Sequence, residues 1–391
     1  IKATSHCLIR YQSIVGELCT IKSEDKFTQS ILPPADCYYR ERMIQWKLWI
    51  IKSKEVFGDD KMAGIKDVAK LAGVGVGTVS RALNKTGYVS EETKKKIELA
   101  MKELQYTPNE LARNLYHKKT GIIAVLVPDI AYSFFSDLVR AIESDLYEYG
   151  FKTMVCSTFK TKNYEREYLD MLDRHMVDGI ITGVHSLDIE NYLKTDKPVV
   201  SFDRYLGKDI PVVGVNHWKG GTMAAERLIE AGCTHVIQFQ GSKAVNSPAH
   251  DRHTAFARRM ENAKIPVMTY ELEWNRFDAD YFQQVAEEVF FKNPEIDGVF
   301  GADLMAVSYM KTALTQGKRI PEDLKIVAYD GTLLTTNIYP EVTAIVQPIE
   351  TLSKKCTELI VKKIEGGNGG EEGLKDIRIM VDVFLREGGT T

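Results

Sequence analysis

The sequence lacks the segments that send a protein into or across a membrane. No part of its 391 residues approaches the roughly 18 consecutive apolar residues that cross a bilayer. The beginning of the chain also lacks the apolar stretch and small-residue cleavage site of a secretory signal. We therefore expect a cytoplasmic protein with no membrane partner.

Cysteine is scarce, and its six occurrences form no ligand pattern. The cysteines stand at positions 7, 19, 37, 156, 233 and 356, with no C-x-x-C pair and no cluster with histidine. This spacing excludes the common structural zinc motifs, and it favours reduced thiols in the cytosol over a disulfide framework. We expect neither a metal nor a cofactor.

The familiar catalytic signatures are missing as well. The chain contains no G-x-S-x-G elbow, no H-E-x-x-H pair and no Walker sequence. Its 54 Asp and Glu residues leave a carboxylate pair for glycosidic cleavage open as an alternative. The missing motifs predict a protein that is not an enzyme.

A glycine-rich stretch, LAGVGVGTVSRALN at 71–84, raises the question of a phosphate-binding loop. A dinucleotide fingerprint would follow a strand and would need a third glycine where Ser80 stands. The apolar residues before Gly73 instead recur at helical spacing, at Ile65, Val68, Ala69 and Ala72. The stretch is therefore predicted to be a helix, a tight turn and a second helix that buries Val79, Ala82 and Leu83.

A third helix is predicted after this pair. Ser90 is placed to cap its first turn, where Glu91 and Glu92 suit the positive end of the helix dipole. Its apolar stripe consists of Ile97, Ala100, Met101 and Leu104. Two short helices about a turn and a third that closes the core are typical of a helix-turn-helix headpiece, which we place at 62–107.

The charge is distributed unevenly along the chain. Residues 62–120 contain 11 Lys and Arg against 6 Asp and Glu, whereas 121–391 contain 30 against 40. A small basic segment on a large acidic body is typical of a nucleic-acid-binding headpiece joined to a sensor domain.

Two further segments flank this headpiece. Residues 1–61 show no sustained amphipathic period, and our hypothesis is that Met62 is the natural start and 1–61 an upstream extension without function. After the third helix, Pro108 suits the first turn of another helix that reaches Leu115. Such a helix is too short to be stable alone in water, so it needs a partner or a surface. We assign 108–120 as a hinge helix and linker, with a plain linker as the alternative.

Beyond residue 120 the chain alternates apolar runs with amphipathic helices. The runs are GIIAVLVP, KTMVCS, DGIIT, PVVSFD, VVGV, HVIQFQG, DGVFGA and KIVAYD. Continuous Val and Ile runs between helices indicate parallel sheets that are covered on both faces. Because about 270 residues are many for one such sheet, we expect an α/β body at 121–391 with two doubly wound lobes.

The motifs VAKLAGV, TVSRALN and YTPNELARNL, with the body beyond them, resemble the LacI–GalR family of transcriptional regulators over 64–387. The resemblance implies a homodimeric repressor whose two-lobed body is periplasmic-binding-protein-like. It also implies that the second helix enters the major groove of double-stranded operator DNA, while paired hinge helices enter the minor groove. The details YDGTLLTTNIYPEVTAIVQPIE and AGCTHVI most resemble the sucrose- and ribose-operon repressors of Gram-positive bacteria.

Positions carried over from the family predict the DNA contacts. The base-reading places are occupied by Val76, Gly77 and Arg81. The expected phosphate contacts are Thr78, Ser80 and Asn84, to which we add Lys66 near the first helix. Leu115 stands in the place of the leucine that wedges between base steps, with Arg113 beside it. Valine touches only an apolar base edge and glycine reads nothing directly, so Arg81 is expected to carry most of the base readout.

The same resemblance implies a site for a small sugar or sugar-phosphate effector. Its expected contacts are Asp203, Arg252, Trp274 and Asp330, with Phe134 nearby. Carboxylates and an arginine can bind adjacent hydroxyls while an aromatic ring stacks on the apolar face of the sugar. Ala302 replaces an asparagine that some relatives use, so one hydrogen bond is expected to be missing.

Strand ends point to an overlapping set, because ligands of doubly wound folds bind beyond the carboxyl ends of strands. The polar residues that end the predicted strands are Asp129, Asp203 with Arg204, Gln240, Asp303 and Asp330. For each Asp the alternative is a helix cap or a turn, and for Trp274, Phe134 and Phe135 it is core packing.

The sequence thus predicts a repressor of a carbohydrate-utilisation operon that a small sugar or sugar phosphate controls. A sugar-binding protein of a transporter would share the body, but it should carry a signal peptide and no basic headpiece. A regulator controlled by a phosphoprotein co-repressor stays open as an alternative, because 121–391 alone does not exclude it.

Overall fold

The chain forms two compact units, residues 1–108 and residues 109–391. In this computed structural model, the described residues are 63–84, 86–107, 119–158, 164–184, 192, 197–244, 247–273, 276–366 and 376–391. The extension at 1–61 and the predicted hinge helix at 108–115 lie outside them. Among the described residues, no helix is both long and apolar enough to span a membrane.

The first unit contains the three predicted helices. They are α1 (Ile65–Ala72), α2 (Val76–Asn84) and α3 (Glu91–Glu103). Gly73 ends α1 in the left-handed region at φ 66°, which a glycine adopts without strain. The Ser90 hydroxyl accepts a hydrogen bond from the backbone N–H of Thr93 and so caps α3. The helix-turn-helix prediction is confirmed.

A small apolar core holds these three helices together. Val68 and Ala69 of α1, Val79 of α2, and Ile97 and Ala100 of α3 are all buried. Burying a valine or isoleucine side chain contributes about 1.5–3 kcal/mol, whereas helices of this length are marginal alone. Packing of the apolar stripes therefore sets the arrangement of the helices.

The second unit contains two lobes, each built on a six-stranded sheet. The sheet of lobe 1 contains β1 (Ile122–Val127), β2 (Lys152–Ser157), β3 (Gly179–Thr182), β4 (Val199–Phe202), β5 (Val212–Val215) and β11 (Arg378–Val381). Its helices are α4 (Ser133–Glu148), α5 (Tyr164–Asp173) and α11 (Ile349–Gly366). The strand order is β11-β5-β4-β3-β1-β2, and all neighbours run parallel.

Lobe 2 repeats this architecture. Its strands are β6 (Val236–Gln240), β7 (Val267–Glu271), β8 (Gly298–Ala302), β9 (Lys325–Asp330), β10 (Thr343–Val346) and β12 (Phe384–Arg386). Its helices are α6 (His217–Glu230), α7 (His250–Asn262), α8 (Ala279–Lys292), α9 (Asp303–Thr315) and the short α10 (Leu333–Thr336). The order is β12-β10-β9-β8-β6-β7, parallel except for the antiparallel pair β10–β12. The predicted two-lobed α/β body is confirmed.

In both lobes, an Asp carboxylate binds the backbone N–H groups that precede the first strand of the lobe. The Asp178 carboxylate accepts hydrogen bonds from the backbone N–H groups of Thr120 and Gly121, both at 2.7 Å, just before β1. The Asp297 carboxylate does the same for Thr234 and His235, both at 2.8 Å, just before β6. Each Asp precedes a glycine that opens a neighbouring strand, so one local sequence has the same structural role twice.

The chain passes between the lobes after β5, after β10 and after β11. The first passage leads into α6, which packs on β9 and β10 of lobe 2. The second leads into α11, which packs on β3, β4 and β5 of lobe 1. The carboxyl ends of β5 and β10 therefore lie where the chain crosses from one lobe to the other.

Candidate functional site

The predicted base-reading residues lie on the exposed side of α2. Val76 is 41% exposed, and Gly77 and Arg81 are exposed as well, whereas Val79 on the opposite side is fully buried. A Cβ placed on Gly77 would meet no atom within 4 Å. Packing inside the unit therefore does not require a glycine here. The missing side chain affects only the outer surface of α2.

The predicted phosphate contacts border the same surface. Thr78, Ser80 and Asn84 are half-buried, and the Asn84 amide donates a hydrogen bond to the Ser80 hydroxyl at 3.3 Å. Lys66 is exposed on α1. Arg113 and Leu115, the remaining predicted DNA contacts, lie outside the described residues.

In the second unit, Asp330 is the centre of a buried polar cluster. It ends β9 at φ 113°, and it is only 4% exposed. The Tyr132 hydroxyl donates a hydrogen bond to its Oδ2 at 3.2 Å, and the Gln347 amide donates one to its Oδ1 at 2.8 Å. The Arg252 guanidinium lies 3.8 Å from Oδ1. Burial raises the pKa of Asp330, and the positive charge of Arg252 opposes that rise.

Arg252, in the first turn of α7, is held by two neighbours. Its guanidinium carbon lies 4.2 Å from the centre of the Tyr329 ring, a cation–π contact. Its Nε donates a hydrogen bond to Nε2 of His253 at 3.3 Å, while Nδ1 of His253 lies 3.1 Å from Oε1 of Gln238. Burial and the charge of Arg252 hold the pKa of His253 well below its usual value, so the neutral ring can accept from Arg252.

Asp203 joins the cluster through His217 and Tyr329. It follows β4 at φ 55°, and its Oδ2 lies 2.7 Å from Nε2 of His217. Nδ1 of His217 lies 3.1 Å from the Tyr329 hydroxyl, and the Arg252 guanidinium lies over the ring of the same tyrosine. Oδ1 of Asp203 is buried and makes no hydrogen bond within the described residues. A continuous polar chain thus connects a lobe 1 carboxylate with the lobe 2 cluster.

Two adjacent glycines of α6 make this packing possible. A Cβ on Gly220 would lie 2.8 Å from the Tyr329 ring, and a Cβ on Gly221 would overlap the carbonyl oxygen of Arg252. Since neither position has room for a side chain, α6 and α7 approach closely and bring Arg252 over Tyr329.

The strand-end aspartates Asp129 and Asp303 support loops, which is the alternative that the sequence left open for them. The Asp303 carboxylate accepts hydrogen bonds from the N–H groups of Gly331 and Thr332 and from the Thr332 hydroxyl. Burial and the neighbouring Asp330 charge raise the pKa of Asp303 to about 8. Asp129 accepts from the N–H of Ala131 at 2.9 Å, which fixes the turn before α4. The Gln240 amide pairs with His250 at 3.0 Å.

The predicted aromatic contacts have different outcomes. Phe134 is 4% exposed and packs against Phe135 and Phe202 in the core of lobe 1, so its role as an effector contact stays a prediction. Phe135 lies closer to the cluster, with its ring 5.9 Å from that of Tyr132. Trp274 lies outside the described residues. Ala302 ends β8 directly before α9.

No sequence pattern singled out Tyr132, His217, Tyr329 or Gln347. His217 and Gln347 follow β5 and β10, so the strand-end rule would have reached them if β10 had been predicted and the rule applied one residue further. Tyr132 contacts Asp330 across 198 residues, a separation that no local pattern reveals.

A surface groove of about 790 Å³ lies elsewhere in lobe 2, between α7 and the edge strand β7. It is lined by Thr254, Ala257, Arg258, Glu261, Lys264, Ile265, Pro266 and Val267. None of these residues belongs to the buried cluster. The convergence of buried charges on Asp330 makes that cluster the stronger ligand-site candidate.

Comparison with known proteins gives matches over both units. A family model described as bacterial regulatory proteins, lacI family, matches residues 64–109, and a periplasmic binding protein-like domain matches 225–386. The ribose operon repressor of Halalkalibacterium halodurans is 40% identical over 305 residues, covering 78% of this chain and 91% of that protein. The sucrose operon repressor of Streptococcus mutans is 39% identical, covering 78% and 93%. A solved complex of the transcriptional regulator CelR with cellobiose is 26% identical, with a TM-score of 0.61, covering 84% and 100%.

Proposed function

Because this chain belongs to the lacI family of bacterial regulatory proteins, we propose that it is a DNA-binding repressor of a carbohydrate-utilisation operon. The observation that carries the proposal is the exposed side of α2, where Val76, Gly77 and Arg81 stand together on a basic three-helix unit. A helix that presents an exposed arginine beside a bare backbone can approach base edges in the major groove. The protein acts by binding, as a cytoplasmic homodimer on double-stranded operator DNA.

The effector is a small sugar or sugar phosphate that binds at the Asp330 cluster. Arg252 and Asp330 offer charged donors and acceptors for adjacent hydroxyls, and Asp203 stands at the other end of the same polar chain. The names of the relatives, repressors of ribose and sucrose operons, support a saccharide. Phe134 and Trp274 complete the proposed contact set.

This proposal gives each segment of the chain a role. Residues 62–107 form the DNA-binding headpiece, 108–120 the hinge, and 121–391 the effector-binding and dimerisation domain. In the hinge, Leu115 is the wedge between base steps and Arg113 its neighbour. Loss of the wedge by Leu115→Ala weakens operator binding and leaves the effector affinity of the free protein unchanged.

A transporter's sugar-binding protein, the rival function, would share the two-lobed body. It would have no use for a helix-turn-helix unit, and the match of residues 64–109 to the lacI-family model favours the repressor. The basic charge of 62–120 favours it as well.

Selection of binding sites from a random duplex library tests the DNA-binding part. The full chain is expected to enrich one palindromic sequence, with two half-sites that mirror the twofold symmetry of a dimer. Failure to enrich any sequence would contradict the proposal. A thermal-unfolding screen with saccharides and sugar phosphates tests the effector part, since a ligand at 100 times its Kd adds about 2.7 kcal/mol of stability.

A further inference from the structure

Tyr132 bridges the two lobes at the carboxylate on which the proposed sugar site depends. It lies in lobe 1, between β1 and α4, whereas Asp330 ends β9 in lobe 2. The Tyr132 hydroxyl donates to Oδ2 of Asp330 at 3.2 Å. Because donor and acceptor belong to different lobes, this bond exists only while the lobes stay close together.

The other oxygen of Asp330 is engaged as well. Gln347 donates to Oδ1 at 2.8 Å, and the Arg252 guanidinium lies 3.8 Å from the same atom. Because Asp330 is only 4% exposed, a ligand hydroxyl that reaches it has to take the place of one of these donors. Displacing Arg252 would leave the buried carboxylate without its positive neighbour, and Gln347 belongs to the passage between β10 and α11. The neutral hydroxyl of Tyr132 is the donor that a sugar hydroxyl replaces most directly.

The surroundings keep the Tyr132 hydroxyl protonated and in place. Burial and the charges of Asp330 and Asp303 raise its pKa well above the usual value of 10, so the group donates rather than ionises. Its ring packs edge-on against Phe277 of lobe 2 at 5.5 Å and against Phe135 of lobe 1 at 5.9 Å. Aromatic contacts from both lobes thus aim the hydroxyl at Asp330.

We propose that Tyr132 is a built-in substitute for the ligand: its hydroxyl holds the lobes together in the free protein, and a polyhydroxylated ligand displaces it from Asp330. The inference rests on the proposed function for the ligand class, and it adds the regulation of that site. Tyr132 also sets a requirement on the ligand, which must offer Asp330 a hydrogen-bond donor of its own. A molecule without such a donor gains nothing in exchange for the bond it breaks.

Tyr132→Phe removes the bridging hydroxyl and keeps the ring. Tyr281→Phe is the matched control, because the buried Tyr281 hydroxyl makes its hydrogen bond inside lobe 2, accepting from the N–H of Glu273 at 2.7 Å. Both variants lose one hydroxyl and one hydrogen bond, but only Tyr132→Phe cuts a contact between lobes.

The first measurement needs no ligand. Spin labels are attached through unnatural amino acids at exposed Arg174 in lobe 1 and exposed Lys311 in lobe 2 of the full chain. Pulsed electron resonance then gives the distribution of distances between them. Tyr132→Phe is expected to raise the ratio of open to closed protein about 2- to 13-fold, the range of one net hydrogen bond, and Tyr281→Phe to leave it unchanged. An unchanged distribution in Tyr132→Phe, or an equal shift in both variants, overturns the proposal.

The second measurement is calorimetric binding of sucrose and of ribose. Tyr132→Phe is expected to bind the sugar that the wild type accepts about 2- to 13-fold more tightly, because no hydroxyl competes for Asp330. Weaker binding would mean that the hydroxyl contacts the bound sugar, which overturns the proposal. If neither sugar binds any variant, the proposed effector class fails for these sugars, and the distance measurement still decides the role of Tyr132.

Discussion

The carbonyl oxygen of Arg252 on α7 lies directly against Gly221 on α6, where a Cβ would overlap it. This close approach brings the Arg252 guanidinium over the Tyr329 ring and within 3.8 Å of Asp330. The geometry of the candidate ligand site therefore depends on a residue that has no side chain.

Gly221→Ala is expected to destabilise the second unit. The added methyl group must push α6 and α7 apart, and overpacking of this kind costs about 1–3 kcal/mol. Urea unfolding followed by circular dichroism measures the loss. Gly241→Ala is the control, since a Cβ there meets no atom within 4 Å, and an equal loss in both variants would contradict the explanation.

Arg81→Ala is expected to weaken binding to the selected operator by about 1–3 kcal/mol and to relax its sequence preference. The reason is that Arg81 is the hydrogen-bonding member of the exposed group on α2, beside Val76 and Gly77. Repeating the library selection with the variant measures both effects. An unchanged preference would refute the assignment of Arg81 to base readout.

Lys66→Ala tests the predicted contact with the phosphate backbone of the DNA. A lysine that binds a phosphate releases counterions, so its loss should weaken all sequences alike and lower the salt slope of log K by about 1. Fluorescence anisotropy at several salt concentrations, with operator and random duplexes, measures this. A selective loss of operator binding would place Lys66 at a base instead.

Asp303 and Asp330 are expected to respond differently to substitution, although both are buried acids whose pKa is raised by burial. Asp303→Ala leaves the N–H groups of Gly331 and Thr332 without their acceptor, at about 1–3 kcal/mol for each buried group. Asp330→Asn keeps the shape and one acceptor oxygen, so the fold should survive while sugar binding is lost. Unfolding curves and calorimetry separate the two effects, and a fully unfolded Asp330→Asn would show that Asp330 is structural.

His253 should make stability fall in mild acid. Its pKa is held well below the ordinary value of 6.5 in the folded protein, so below that pH the unfolded chain binds a proton that the folded chain does not. The free energy of unfolding then falls as the pH drops, by up to about 1.4 kcal/mol per unit from this residue. His253→Gln should flatten the slope in unfolding experiments from pH 7 to 5. His235→Gln, at an exposed position, should leave the slope unchanged. Identical slopes in both variants would contradict the assignment of the pH dependence to His253.

Helix and strand placement could be predicted from the sequence where apolar residues follow a regular period. All eight apolar runs of the body contain strands. Seven of these strands are almost wholly buried, because both faces of a parallel sheet are covered and select continuous Val and Ile; the exception is the edge strand β2. The strands without a prediction are β7, β10, β11 and β12. Residues of β7 and β11 are all partly buried or exposed, and β12 has three residues, so these three strands show no buried run. The fourth, β10, is buried but begins with Thr and Ala.

The site was predictable only in part. Strand-end position and family resemblance identified Asp203, Arg252 and Asp330, and the structure connects all three. Tyr132, Tyr329 and the glycines of α6 act through contacts between elements that are distant in the sequence, and no local period encodes those. Asp303 shows that the strand-end rule also selects residues with a different role, because a strand-end carboxylate that supports a loop has the same sequence signature as one that faces a ligand.

The most direct test of the account is the anisotropy of the selected operator duplex, titrated with the full chain in the absence and presence of sucrose, ribose and the other saccharides of the screen. At least one saccharide is predicted to change the operator affinity of the wild type about 5- to 150-fold, the usual range of coupling between two sites. The same saccharide should change the affinity of Asp330→Asn less than about 2-fold, with its ligand-free operator affinity close to that of the wild type. An equal response in both proteins would contradict the assignment of the effector to Asp330, and no response to any saccharide in the wild type would contradict sugar control itself.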